Sequence, residues 1–202
     1  MKKTPIFLAV FALGIAAGAV VMDIGRQTAP RQDTTRQTAV PAATDHSPAD
    51  RRTTKRVGLV AHDAKKAVLL EWVKKNARIL ADQELFSTGT TGRLVTETLA
   101  EALPGENVRV TRFNSGPLGG DQQMGALIAQ GGLDILVFFV DPLSAHPHDA
   151  DVKALLRLSA VHNTVLAITP STADFVIASP HFAEAYAAEK PDHSSYVNRQ
   201  VK

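Results

Sequence analysis

The chain contains no cysteine in its 202 residues. Disulfides, thiolate nucleophiles and cysteine-ligated zinc are thereby excluded. Aromatic residues are scarce at 5%, with one Trp and two Tyr. Basic side chains therefore lack an aromatic platform of the kind that stacks nucleobases, and no nucleic-acid partner is expected. A dominant charge is also missing: 22 Lys and Arg against 20 Asp and Glu leave a net +2. Much of the basic excess lies in Arg26, Arg31, Arg36, Arg51, Arg52, Lys55 and Arg56, ahead of the first strand-like run.

What is present divides into three parts. Residues 1–22 place Lys2 and Lys3 before an uncharged run from Thr4 to Met22. This is the pattern of a signal peptide or a short membrane anchor, and Ala17-Gly18-Ala19 is a candidate cleavage site. A buried N-terminal helix is the alternative. Residues 23–54 are rich in Thr, Ala, Pro, Gln and Asp with few large apolar side chains, the composition of a disordered linker. Residues 55–202 read as a folded catalytic domain.

In that domain strand-like runs VGLVA (57–61), ELFST (84–88), NVRVTRF (107–113), DILVFFV (134–140) and TVLAIT (164–169) alternate with helical stretches 67–80, 94–103, 123–130, 152–161 and 172–179. Five strands alternating with helices predict an α/β fold with a mainly parallel sheet covered on both faces. Ligands of such sheets bind beyond the carboxyl ends of the strands. The loops at those ends carry His62-Asp63-Ala64-Lys65-Lys66, Thr88-Gly89-Thr90-Thr91-Gly92, Ser115-Gly116-Pro117-Leu118-Gly119-Gly120-Asp121, and Asp141 to Asp151.

Each loop has a chemical and a structural reading. TGTTG opening a helix is a phosphate cradle, because glycines admit the backbone, threonines donate and the helix N-terminus favours an anion. Equally, Thr88 or Thr90 caps the helix. Ser115-Gly116 supplies further donors or simply forms the turn that Pro117 and Gly119-Gly120 demand. Lys66 neutralises phosphate or is solvated. Asp121, between a glycine-rich turn and an apolar helix, is an N-cap or a base. His146-Pro147-His148-Asp149-Ala150-Asp151 offers borderline ligands for zinc or manganese, a general acid–base pair of His148 with Asp151, or a helix cap at Asp149.

HDAKK, STGTTG, SGPLGGDQQMGALIAQGGLDILVFFVDPL, PHDADVKALLRL and ADFVIASPHF together resemble methylglyoxal synthase, from about Arg56 to Phe182. The resemblance implies a flavodoxin-like three-layer α/β domain with a five-stranded sheet, assembled as a homohexamer. It implies a phosphate-eliminating carbon–oxygen lyase that converts dihydroxyacetone phosphate to methylglyoxal and phosphate through an enediol(ate), a bypass of glycolysis. No metal or organic cofactor is implied, and inorganic phosphate becomes the product and a candidate allosteric inhibitor. By motif position, Asp121 is the base at C3 of the substrate, with His148 and Asp151 at the enediolate oxygens. His62, Asp63 and Lys66 bind substrate; Thr88, Gly89, Thr90, Thr91, Ser115 and Gly116 hold the phosphate; Asp141 belongs to the same site. The family also brings a C-terminal arginine to the phosphate, for which Arg199 is the only candidate here. ALPGENVRVTRFNSG is longer than the family pattern, an extension expected to enlarge a loop and spare the site.

Two other classes compete with the lyase. One is a small-molecule sensing domain, disfavoured because the full set of His62, Asp121, His148 and Asp151 is present and no larger enzyme is attached. The other is a metal-dependent phosphohydrolase built on the HPHDAD cluster. A cytosolic substrate and an export-like N-terminus point to a membrane-associated enzyme with its catalytic domain in the cytoplasm. Arg26, Arg31 and Arg36 outnumber Lys2 and Lys3, which permits that orientation. Periplasmic export, or a soluble cytoplasmic enzyme translated from Met22, are the alternatives.

Overall fold

A computed structural model describes residues 53–200. The proposed anchor and all but the last two residues of the proposed linker lie outside this range. The strands are β1 (Arg56–Ala61), β2 (Glu84–Thr88), β3 (Val110–Phe113), β4 (Ile135–Phe139) and β5 (Val165–Ala167). They form one wholly parallel sheet in the order β3-β2-β1-β4-β5. The helices are α1 (Lys66–Lys75), α2 (Ala77–Ala81), α3 (Gly89–Ala102), α4 (Gly120–Ala129), α5 (Asp149–Val161), α6 (Pro170–Ile177), α7 (Pro180–Ala183) and α8 (Ser194–Val197).

Period-two alternation sorts the strand side chains into two cores. Ile135, Val137 and Phe139 of β4 face Leu69, Trp72 and Val73 of α1, Val95 and Leu99 of α3, and Ala173 and Ile177 of α6. Leu136 and Phe138 face Met124, Leu127 and Ile128 of α4 and Val152 and Leu155 of α5. Because both faces are buried, the central strands read as continuous apolar runs rather than alternating ones. The result is the three-layer, flavodoxin-like α/β domain expected from the sequence.

Several boundaries differ from the sequence reading. The single helix expected over 67–80 is interrupted at Asn76, whose Nδ2 donates to the Trp72 carbonyl at 2.8 Å. A short polar side chain bonding the preceding turn competes with the helical ladder. β3 begins only at Val110, since this edge strand pairs with β2 alone. The connection of residues 103–109 joins α3 to the start of β3, so it lies at the amino end of the sheet, away from the strand carboxyl ends. Among the described residues no helix is long and apolar enough to cross a membrane.

The chain winds outward from β1 to β3, then crosses back to lay β4 on the other side of β1. The carboxyl ends of β1 and β4 flank this topological switch point, where open α/β sheets bind ligands.

Candidate active site

A cavity of about 300 Å³ opens at this switch point. Four loops meet in it, following β1, β2, β3 and β4 respectively.

The loop after β2 becomes the first turn of α3 without delay, so Gly89, Thr90 and Thr91 lie inside the helix rather than in a preceding loop. Thr88 occupies the N-cap position but makes no side-chain capping bond. Capping therefore does not account for its hydroxyl. The Gly89 N–H is taken by the Asn114 carbonyl at 3.0 Å. The next first-turn N–H groups have no acceptor within the helix, as at every helix start. Gly89 has φ +41, and a Cβ there would lie 2.6 Å from Ser115 Cα. Only glycine lets the two phosphate-type loops touch. Thr88 and Thr91 are buried, and with Gly89, Thr90, Ser115 and Gly116 they line the cavity.

The turn after β3 carries Asp121. It lies in the first turn of α4, with Gly119 as N-cap and no side-chain capping bond. The N-cap reading of Asp121 is thus corrected: the left-handed Gly119, φ +96, starts the helix. Asp121 is instead 3% exposed, and its Oδ2 accepts from Nδ1 of His148 at 2.7 Å. Gly116 faces this pair, since a Cβ there would stand 2.9 Å from Asp121 Oδ2 and 3.0 Å from His148 Cε1.

The loop after β1 places His62 and Asp63 at the cavity, and Lys66 at the start of α1. Lys66 pairs with Asp63 at 2.6 Å, and this ammonium holds the exposed Asp63 carboxyl below the usual carboxylate range. His62 is buried. Burial, reinforced by His146 and His148, lowers its pKa against the opposing pull of Asp121 and Asp141.

The loop after β4 brings Asp141, His146 and His148. Asp141 is buried but does not line the cavity. Its backbone N–H donates to His62 Nδ1 at 2.9 Å. Its carboxyl is held below the usual range by Ser144, then by the Leu143 N–H. The helix start expected at Asp149 is there, but Asp149 is the first helical residue and His148 the N-cap. Asp151, half-buried two residues further into the first turn, is not among the cavity-lining residues. Its N–H bonds the His148 carbonyl at 2.9 Å, so it supports the turn that carries His148. Among the described residues no three His, Asp or Glu side chains converge to hold a metal ion. Arg199 stacks on Tyr196, 3.5 Å from its ring centroid, and is not at this cavity.

His146 lines the cavity, although the sequence offers it a part only in the candidate metal cluster. The available signal is Pro147: a turn closed by the Asp149 N–H on the His146 carbonyl at 3.1 Å joins His146 to the His148 that starts α5. Pro117, Val60, Ala61, Phe138 and Pro147 complete the wall.

The sequence profile of the MGS-like domain matches residues 68–169. A methylglyoxal synthase of Coxiella burnetii is 49% identical over 149 residues, 74% of this chain and 99% of the relative. One from Leptospira interrogans is 53% identical over 132 residues, covering 65% of this chain and 84% of the relative. The chain belongs to the methylglyoxal synthase family. A crystal structure of methylglyoxal synthase from Elizabethkingia anophelis superposes with a TM-score of 0.67 at 48% identity, covering 74% of this chain and 94% of that one. The loops around the cavity thus belong to a family fold, and their side chains can be read for the chemistry they permit.

Proposed function

We propose that this domain is a phosphate-eliminating lyase that converts dihydroxyacetone phosphate to methylglyoxal and inorganic phosphate. The observation that carries the reading is a buried carboxylate, Asp121, bonded to an imidazole beside an anion cradle. The phosphate dianion sits at the start of α3, held by first-turn N–H groups, by Thr88, Thr90, Thr91 and Ser115 hydroxyls, by the Gly116 backbone and by Lys66.

The hydrogen bonds assign the two imidazoles opposite parts. A backbone N–H can only donate, so His62 Nδ1 accepts from Asp141 and the ring hydrogen is on Nε2. That buried Nε2–H has no partner among the described groups. A carboxylate only accepts, so His148 presents an Nδ1–H to Asp121, and in its neutral form it has a lone pair on Nε2. His62 is therefore neutral and can only donate from Nε2, while His148 in its neutral form accepts there.

The reaction balances on these groups. Asp121 takes a proton from C3 of the substrate. The C–H pair forms a C2=C3 bond, and the carbonyl pair moves to O2, where the His62 Nε2–H stabilises it. His62 serves uncharged, like other imidazoles that polarise carbonyls. The O3–H proton then passes to His148 Nε2 as C3=O3 forms. The double bond shifts to C1=C2, and the C1–O bond breaks with its electron pair leaving on phosphate. The released enolate takes up one proton at C1 to become methylglyoxal and the departing phosphate takes up the other, so the two protons held by Asp121 and His148 are returned and both groups are reset. No step requires a metal or an organic cofactor.

Leu118 at 75%, Leu143 at 93% and Phe175 at 83% exposure leave large apolar side chains uncovered. They support assembly into a homohexamer, testable by light scattering. Inorganic phosphate fits the same cradle as the substrate's phosphate, which supports inhibition by product; sigmoidal kinetics at added phosphate would make the inhibition allosteric. The run from Thr4 to Met22 supports membrane attachment with the domain on the cytoplasmic side. Fractionation yielding only soluble protein that begins at Met22 would overturn that.

The deciding experiment incubates residues 23–202 with dihydroxyacetone phosphate and a chelator, following methylglyoxal and phosphate together. Equal release of both establishes the lyase. Phosphate alone means a hydrolase, and binding without release means a sensor.

A further inference from the structure

His146 occupies a position that packing alone does not explain. Its ring lies over that of His62, centroids 3.8 Å apart and planes tilted by 31°. Its Nε2 is 3.3 Å from the Asp141 carbonyl. A carbonyl only accepts, so Nε2 of His146 carries the hydrogen of that bond. The same residue's N–H donates to His62 Nδ1 at 2.9 Å. The peptide groups of Asp141 thus clamp both rings, one through its donor and the other through its acceptor. The His62 ring has no other hydrogen-bond partner among the described groups, and its Nε2–H is left without an acceptor.

We propose that His146 is a positioning residue for the elimination: stacked on His62 and tied to the Asp141 carbonyl, it keeps His62 uncharged, with Nδ1 bare and Nε2–H available to the substrate. The inference rests on the lyase reading for its catalytic consequence but not for its structural content.

The surroundings of both rings define what His146 adds. His62 is also faced by His148 from the start of α5, by Asp121 from α4, by Asp141 after β4, and by the edge of Phe138 at 5.1 Å. The two carboxylates favour a charged His62 and the two imidazoles oppose it. His146 is faced by His62, by His148 at 6.1 Å between ring centroids, by Asp63, itself tied to Lys66, and by Asp149 and Asp141. His146 is the more exposed of the stacked pair. Two imidazoles stacked this closely repel when both are charged, which is the direction in which His146 acts on His62. A charged His62 would carry a hydrogen on Nδ1 pointing at the Asp141 N–H, which would break the clamp and turn the ring.

The test compares the wild-type domain with His146→Ala and His146→Phe. Nitrogen NMR of His62 reads the tautomer and the titration directly, with inorganic phosphate present to fill the cradle. The wild type is expected to show a bare Nδ1 and a protonated Nε2 through neutral pH. In His146→Ala the His62 ring should populate both tautomers and titrate closer to the ordinary imidazole value of about 6.5. The acid limb of kcat should move to higher pH. At neutral pH kcat should drop on the order of tenfold, within what a small misplacement costs, with KM little changed. His146→Phe keeps a flat ring over His62 and removes the second ionisable ring. It should restore the single tautomer while leaving the acid limb displaced.

A His62 spectrum and acid limb identical in wild type and His146→Ala would overturn the proposal. If the wild type forms no methylglyoxal, the lyase reading fails, and the NMR comparison still decides what His146 does to His62.

Discussion

Replacing Asp121 by asparagine isolates the base from the fold. The side chain is 3% exposed and accepts from His148 Nδ1 at 2.7 Å. Asparagine has the same shape, and its amide oxygen can still accept that hydrogen. The charge-assisted bond becomes a neutral one, a loss of about 1 kcal/mol that the smaller desolvation of an amide partly offsets. Turnover has no such compensation. A positioned general base contributes about 10²–10⁴ in rate, which is about 2.7–5.4 kcal/mol at 1.36 kcal/mol per decade. Among the described residues the only other carboxylate lining the cavity is Asp63, which is engaged by Lys66 at 2.6 Å and is a weaker base for it. The loss should therefore lie toward the upper end. The assay is joint release of methylglyoxal and phosphate, with thermal unfolding and calorimetric phosphate binding on the same preparation. Asp121→Asn should keep its fold and its phosphate affinity and lose nearly all turnover. Retention of more than about a tenth of wild-type kcat would remove Asp121 as the base, since that is less than the smallest effect such a base supplies.

Gly116→Ala should depress kcat at least about tenfold, because its Cβ would press on Asp121 and His148 and reaction geometry is sensitive to small displacements. Its melting temperature should fall little, and an unchanged kcat would show that the pair tolerates the methyl group. Lys66→Met should raise KM for the phosphorylated substrate about tenfold or more, the value of one charge-assisted bond, with a smaller effect on kcat; an unaltered KM places the ammonium outside the phosphate contacts. Stability should depend on pH in a defined direction. The folded pKa values of His62 and His162 are both lowered, chiefly by burial. The unfolded chain then binds more protons than the native one below about pH 6.5, so stability is full above that value and is lost as pH falls through it. Urea midpoints measured from about pH 8 to about pH 5 should decline on the acid side, less steeply in His62→Gln, and a flat profile would contradict the burial of these rings.

Much of this site is legible because its signals are local. The run of apolar residues from Ile135 to Phe139 can only be a strand buried on both faces, and it is. The glycines at 89, 116 and 119 mark places where the backbone turns left-handed or approaches another loop. Alternating elements force the four loops to one sheet edge, so most of the expected residues do line one cavity. Helix starts were less legible. Asp121 and Asp149 have the composition of N-caps, yet Gly119 and His148 hold those positions. Asn76 breaks a periodic helix because its own side chain competes for a carbonyl. Asp151 was grouped with His148 by spacing, but its place in the first turn of α5 leaves it outside the cavity lining.

Periodicity and turn preferences a few residues long are enough to specify the sheet, the edge on which chemistry gathers and the residue types delivered there. The partners of the two imidazoles emerge only when distant segments are brought together. His62 is set by a backbone N–H 79 positions away and His148 by a carboxylate 27 positions away. A ring's tautomer depends on the single atom facing each nitrogen, and no local pattern encodes which atom that will be.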